Sequence, residues 1–170
     1  MKLLRNKLLW VALVCAAPIV LGTAAYLLEG SPGAPSNYGE LLEPKPVPGF
    51  EALRGKWVLV SFDAAACDAY CERKLYVMRQ SRRAQGKDMD RVERLWVLTD
   101  GGKPRAELLP GIEGTRFANF SAAGYPGDAA DHIYLVDPFG NLMLRFPRDP
   151  DPSKVIKDLG RLLKYTARPR

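Results

Sequence analysis

No glycine-rich phosphate loop, no paired catalytic carboxylates and no serine-triad pattern occurs in this chain of 170 residues. Phosphate-loop nucleotide chemistry, two-carboxylate hydrolysis and triad hydrolysis are therefore not expected. Basic residues outnumber acidic ones, 25 to 19, for a formal charge of +6. No aromatic–basic interleaving or nucleic-acid motif accompanies that surplus, so nucleic acid is not an expected partner. The charge sits at the ends, in Lys2, Arg5, Lys7, Lys164, Arg168 and Arg170, and along Arg73, Lys74, Arg79, Arg82 and Arg83. It reads as a membrane-topology signal plus a solvated helix face. Cysteine is scarce, at three, and histidine scarcer still, as the single His132. Cys15 follows Val14, where lipid attachment wants a small residue, and reads as an apolar filler. Composition, with 47% hydrophobic and 26% charged residues, excludes wholesale disorder, and the length suits one ordinary soluble domain.

Charge is missing altogether from Leu8 to Leu28. A bilayer needs about 20 apolar residues, so this run is a candidate transmembrane helix. Three basic residues precede it and only Glu29 follows closely, which puts the N-terminus in the cytoplasm and the remainder outside. A cleaved signal peptide would look similar, but Tyr26-Leu27-Leu28 continues the apolar run past Gly22-Thr23-Ala24-Ala25, where cleavage would fall. The expected organisation is residues 1–29 as cytoplasmic N-terminus and anchor, 30–50 as a Pro/Gly-rich linker and lead-in, and 51–170 as the folded domain.

Five prolines between Gly30 and Gly49 resist regular structure. The unbroken run Trp57-Val58-Leu59-Val60-Ser61-Phe62 predicts a strand buried on both faces, and Cys71, Leu75 and Met78 stand at helical spacing after it. Gly86 is a helix stop. Leu95-Trp96-Val97-Leu98 predicts a second strand ending at Asp100-Gly101-Gly102. Pro104 opens a short helix with Ala106, Leu108 and Leu109 toward the core. Residues 117–131 read as loop. Ile133-Tyr134-Leu135-Val136 and Leu142-Met143-Leu144-Arg145-Phe146 form a hairpin about Asp137-Pro138-Phe139-Gly140-Asn141. Val155, Ile156, Leu159, Leu162 and Leu163 then share one face of a closing helix. This order suits an α/β mixed sheet, first two strands parallel, with helices on both faces.

Cys67 and Cys71 fall where the first strand gives way to its helix, in the zone of free N–H groups and positive dipole that lowers a thiol's pKa. In an exported domain such thiols are oxidised, re-reduced by a partner or bound to metal. A bridge between them closes too short a loop to stabilise the fold much. Side chains four apart on a regular helix are about 5–6 Å apart at Cβ, wider than the ~3.5–4.5 Å a disulfide prefers. A bridge here therefore predicts local distortion and an exposed, reducible bond. His132 reads equally as a ligand or as a strand-entry residue bonded to a backbone carbonyl or Asp131. Asp100 reads as a turn residue, and Trp57, Tyr70, Tyr76 and Trp96 as core or rim.

Three features, the strand leading into Cys67-x-x-x-Cys71, Asp131-His132 ahead of Tyr134-Leu135, and Asp137-Pro138-Phe139-Gly140, together resemble the SCO/SenC family. These are thioredoxin-like, membrane-anchored copper chaperones of cytochrome c oxidase assembly. The resemblance covers about 55–165 and extends to the anchor. It implies a thioredoxin-like mixed sheet with flanking helices behind one transmembrane helix, in the bacterial inner membrane with the C-terminal domain in the periplasm. It implies that Cys67 and Cys71 carry the chemistry, and that with His132 they hold copper, the thiolates suiting Cu(I) and the imidazole Cu(II). A cytochrome c oxidase subunit or another assembly factor is the implied partner. Where the family carries proline after each cysteine, this chain has Asp68 and Glu72, whose charges oppose a thiolate and favour a bound cation. Beside copper delivery stand two alternatives, a metal-free thiol–disulfide oxidoreductase that keeps oxidase copper-site cysteines reduced, and a non-enzymatic assembly scaffold.

Overall fold

A computed structural model describes residues 2–29 and 37–166. The chain divides into two compact units, 1–36 and 37–170. The first holds helix α1, Lys2–Glu29, which continues through Pro18. Among the described residues no helix is long and apolar enough to cross a membrane. The expected span from Leu8 to Leu28 depends at its ends on the side chains of Leu8, Leu9, Tyr26 and Leu28, which lie outside the described set.

The second unit runs β1 Glu40–Pro46, β2 Trp57–Asp63, α2 Ala69–Arg83, β3 Val92–Leu98, β4 Arg116–Ala118, β5 Ile133–Val136, β6 Asn141–Arg145 and α3 Pro152–Tyr165. Its sheet has the order β1-β6-β5-β2-β3-β4. β2 pairs in parallel with β3, from Trp57 opposite Val92 to Asp63 opposite Leu98, and antiparallel with β5. The expected hairpin joins β5 to β6. α3 begins as its sequence dictates, with the Asp151 carboxylate accepting the Ser153 N–H and Pro152 in the first turn, where its missing N–H costs nothing.

Alternation along β2 sorts the apolar run into two cores. Trp57 and Leu59 join Val92, Trp96, Ile133 and Leu135 against the buried faces of α2 and α3. Val58, Val60 and Phe62 join Leu95, Val97 and Tyr134 on the other side, where Phe50, Leu53 and Tyr125 cover the sheet. Both helices of this unit therefore lie on one face, which corrects the expectation of helices on both. The opposite face is closed by irregular segments through aromatic edge-to-face contacts. Tyr125 stands 4.6 Å from Phe62 and 5.0 Å from Tyr134, ring centre to ring centre.

Three further expectations change. The proline-rich lead-in contains β1, an edge strand whose register with β6 shifts between Leu41 and Lys45, the interval that holds Pro44. An edge strand tolerates proline because half its N–H groups have no sheet partner. The stretch read as loop contains β4, paired with β3, and a short 3-10 turn at Ala129–Asp131. The segment after Pro104 is a 3-10 turn, Ala106–Ile112, in which Ile112 is buried and Leu108 packs against the core while Leu109 is exposed.

β1 is tied down from outside the sheet. The buried Asp158 carboxylate of α3 accepts the backbone N–H groups of Tyr38 and Gly39 at 2.8 and 2.9 Å. Gly39 admits no side chain, since a Cβ there would lie 1.8 Å from Leu144 Cδ2. Replacing Asp158 by alanine strands both N–H groups. It is expected to lower the unfolding free energy by about 2–3 kcal/mol in denaturant titration, with Asp158→Asn, which keeps an acceptor, restoring most of it.

Candidate functional site

β2 delivers its last residue, Asp63, into the turn Ala64-Ala65-Ala66-Cys67 that leads to α2. Cys67 N–H donates to the Ala64 carbonyl at 3.0 Å, closing a tight turn, and Cys67 takes the left-handed conformation, φ +46°. Asp68 caps the helix, its carboxylate accepting the Cys71 N–H at 2.8 Å. Only Cys71 is thus in the first helical turn. Cys67 precedes the cap, and its left-handed backbone supplies the distortion that regular helical spacing required. The Cα atoms come within 5.2 Å and the two sulfurs form a disulfide. An L-residue held there stores about 1–2 kcal/mol of backbone strain, which the bridge and the cap maintain.

The bridge is not exposed as expected. Cys67 is 3% exposed and Cys71 not at all, while the flanking Ala66 and Asp68 are on the surface. A partner thiolate reaches this sulfur pair only when the turn at 64–68 opens. Two polar anchors hold that turn. Asp100 accepts the Ala65 N–H at 3.1 Å and the Gly102 N–H at 3.0 Å, and these bonds hold its carboxyl below the usual carboxylate range. Arg105 donates to the Cys67 carbonyl at 2.8 Å and to the Glu72 carboxylate at 2.7 Å. Glu72, which would oppose a thiolate, is thereby paired with a cation beside Cys67.

Beneath the turn lies a group that the sequence reading placed on a solvated face. Lys74 is fully buried, and its Nζ meets Asp63 Oδ1 at 2.8 Å. Ser61 donates to the same carboxylate, and Lys74 also donates to the Ala130 carbonyl. Burial pushes the Asp63 carboxyl up against the opposing pull of Lys74. The available signal was register. Lys74 is three residues beyond Cys71 and four before Met78, on the buried face of α2.

His132 makes the carbonyl bond of a strand-entry residue. Its Nδ1 lies 2.8 Å from the Phe146 carbonyl oxygen and its ring packs edge-on to Tyr134. That bond requires the proton on Nδ1. The segment before it is nonetheless fastened to α2, since Tyr70 donates to the Asp131 carbonyl at 2.7 Å and Lys74 to that of Ala130. Among the described residues no group of three or more His, Cys, Asp or Glu side chains could hold a metal ion. The cysteines are brought together as a disulfide. Trp57 and Trp96 are core residues, Tyr70 is half-buried and Tyr76 is exposed.

The Asp63–Lys74 pair supplies a pH-dependent prediction. Lys74→Met leaves Asp63 buried without its cation and is expected to cost about 3–5 kcal/mol at neutral pH by denaturant titration. The Asp63 carboxyl already lies above its unfolded value, and losing Lys74 raises it further. The penalty should therefore shrink as pH falls through the folded-state pKa and the carboxyl protonates. Adding Asp63→Asn should recover much of the loss at neutral pH, whereas an equal loss at all pH values would contradict the assignment.

Residues 57–166 match the family model described as "Transmembrane-like, thioredoxin-like, C-terminal domain". No curated protein matches the sequence. Among solved structures, copper-bound yeast Sco1 is similar with a TM-score of 0.59 and 18% identity over 79% of this chain and 97% of that one. Copper-bound ScoI of Bradyrhizobium japonicum gives 0.51 and 22% over 72% and 98%. BsSco, described with a disulfide switch as a member of the Sco family of cytochrome c oxidase assembly proteins, gives 0.50 and 15% over 79% and 98%. The resemblance read from the cysteine turn and the Asp-Pro-Phe-Gly turn is met in three dimensions by Sco proteins, and the chain belongs to the transmembrane-like, thioredoxin-like C-terminal domain family.

Proposed function

We propose that this protein is a membrane-anchored, Sco-type thiol–disulfide protein that acts in the periplasm in cytochrome c oxidase assembly, by reversible oxidation of Cys67 and Cys71. The observation that carries this reading is the Cys67–Cys71 bridge across the capping turn of α2 in a thioredoxin-like fold. Anchoring is supported by α1. Within it the sequence from Leu8 to Leu28 carries no charge, and a bilayer needs about 20 apolar residues. Trp10, Val11, Ile19 and Leu21 stand 62–70% exposed along it. Lys2, Arg5 and Lys7 at its start keep that end cytoplasmic.

In the reducing direction, the Cys67 thiolate attacks a disulfide of the partner, such as one formed between copper-site cysteines of an oxidase subunit. One partner sulfur leaves as a thiolate, and Cys67 is held in a mixed disulfide. Cys71 then attacks Cys67 Sγ, the second partner sulfur leaves, and the Cys67–Cys71 bridge is restored. Two electrons pass from the pair to the partner, and a dithiol reductant of the same compartment must return them. Cys67 precedes the cap and adjoins the surface residues Ala66 and Asp68, which favours it as attacker. The Arg105 guanidinium at its carbonyl and the first-turn N–H groups favour its thiolate.

A second reading is supported by the copper-bound structures to which the fold is similar. Once reduced, Cys67 and Cys71 offer two soft donors suited to Cu(I) as cargo. The residues fit a two-sulfur site. His132, with Nδ1 at the Phe146 carbonyl, keeps Nε2 open as a donor, and the resemblance gives it the third position of a Cu(II) site.

The Cys71→Ser variant is expected to accumulate a mixed disulfide through Cys67 with an oxidase subunit or assembly factor, visible on non-reducing gels, and the Cys67→Ser variant is not. Absence of that adduct, or full assembly activity in a Cys67→Ala, Cys71→Ala variant, would favour the scaffold reading instead. In equilibrium dialysis of the reduced protein, Cu(I) retention above that of the double-alanine variant would support the cargo reading. His132→Ala should then leave the retained copper unchanged.

A further inference from the structure

The far end of α2 carries a second built feature that the cysteine chemistry does not use. Arg79, Arg82 and Arg83 follow one another on one side of the helix, and Arg94 rises from β3 below them. Together with Glu113 and Gly114 they line a depression of about 250 Å³. Eleven residues separate Cys71 from Arg82, about 16 Å along the helix at 1.5 Å each, so the depression is remote from the disulfide.

Arg94 is the unusual member. It is only 3% exposed, on the strand face it shares with Val92 and Trp96, yet its Nε and Nη1 atoms have no hydrogen-bond partner among the described residues. Its Nη2 donates to the Glu113 carbonyl. Burial lowers its guanidinium to about 10, and the like charges of Arg82, Arg79 and Arg83 press the same way. A buried, half-satisfied cation among three other cations is unfavourable unless an anion completes it.

The neighbours are held as a receptor requires. Arg82 Nε donates to the Val92 carbonyl at 2.6 Å and Arg79 Nη1 to the Gly111 carbonyl at 2.8 Å, which fixes both forks. Arg79 Nε is likewise buried without a partner among the described residues. Gly114 adopts φ +75°, a left-handed backbone that a side chain would strain, beside Arg94 Nη2. The carboxylates nearby do not balance the charge. Glu93 offsets part of the charge on Arg94 but also pairs with Arg116 at 3.6 Å, and Glu113 is the acidic residue that lines the depression with the four arginines.

We propose that this depression is an oxyanion site for a phosphate group, with Arg94 at its floor and Arg79, Arg82 and Arg83 at its rim. A dianion with acceptor oxygens on several sides answers four forks better than a single carboxylate does. Inorganic phosphate and a phospholipid phosphomonoester present the same chemistry.

The test uses the full chain in nonionic micelles, titrated with inorganic phosphate against chloride at matched ionic strength, by calorimetry and by thermal unfolding. Phosphate should bind saturably and raise the melting temperature, and chloride should not. Arg94→Gln should weaken phosphate binding by about tenfold or more, as loss of a charge-assisted contact implies, without lowering the melting temperature in phosphate-free buffer. Arg83→Ala, an exposed position that leaves folding intact, should weaken binding by about three- to tenfold. Equal responses to phosphate and chloride, or a wild-type titration by Arg83→Ala, would overturn the proposal. Micelles doped with dioleoyl phosphatidic acid separate the sources. Displacement of phosphate by the lipid assigns a headgroup, and undisturbed binding assigns free phosphate, either of which sustains the site.

Discussion

Strand β2, helix α2 and the segment before His132 meet at one buried ion pair. Lys74 gives its charge to Asp63 at the end of β2 and another hydrogen bond to the Ala130 carbonyl. Taking both charges out of water is costly, and only a geometry with further hydrogen bonds repays it. Ser61 supplies one at Asp63, while the Asp63 carbonyl accepts the Trp96 indole N–H at 3.3 Å and the Thr99 N–H at 3.1 Å. The strand ends where it does because its last residue is consumed by these bonds. The chain must then turn within four residues to begin α2, and that turn is where the cysteines lie.

The bridge is therefore set into its scaffold. Asp100 draws the turn toward the end of β3, Arg105 draws it toward the 3-10 turn at Ala106–Ile112, and Asp68 closes the helix over Cys71. Under the proposed thiol–disulfide function, this arrangement makes exchange conditional. The left-handed Cys67 backbone and the near-complete burial of both cysteines mean that opening the turn precedes attack on the oxidised form. A docking partner that competes for Arg105 or Asp100 would lower that barrier, so selectivity can reside in the anchors rather than in the sulfurs.

Much of this was legible in the residues. The uncharged β-branched run gave β2, the Asp-Pro-Phe-Gly turn gave the β5–β6 hairpin, and the spacing of Val155, Ile156, Leu159, Leu162 and Leu163 gave α3. The resemblance carried by the cysteine turn led to the fold. What could not be read follows from the same run. Because Trp57 to Phe62 are apolar on both faces, their pattern does not say which face the helices cover. The face without helices is closed by Phe50, Leu53 and Tyr125, from segments with no period to detect. β1 was hidden by prolines that only an edge strand accepts. Lys74 was hidden by its charge, since its helical register pointed inward while its side chain suggested water. His132 was legible as two alternatives, and the carbonyl that its Nδ1 meets lies fourteen residues away on the far side of the hairpin.

The two ends of α2 show how far local rules reach. Asp68 at the cap and Arg82 and Arg83 in the last turn each oppose the charge of the helix dipole near them. Those two arginines are thus favoured by the helix itself, and Arg83 is exposed. Arg94 is not accounted for in this way. It belongs to a strand, it is buried beside Val92 and Trp96, and apolar side chains of similar length would fill the same space without the cost of an uncompensated charge. A residue that raises the energy of the empty fold while facing three guanidinium groups, two of them fixed by carbonyls, is explained by what it binds, not by what it packs against.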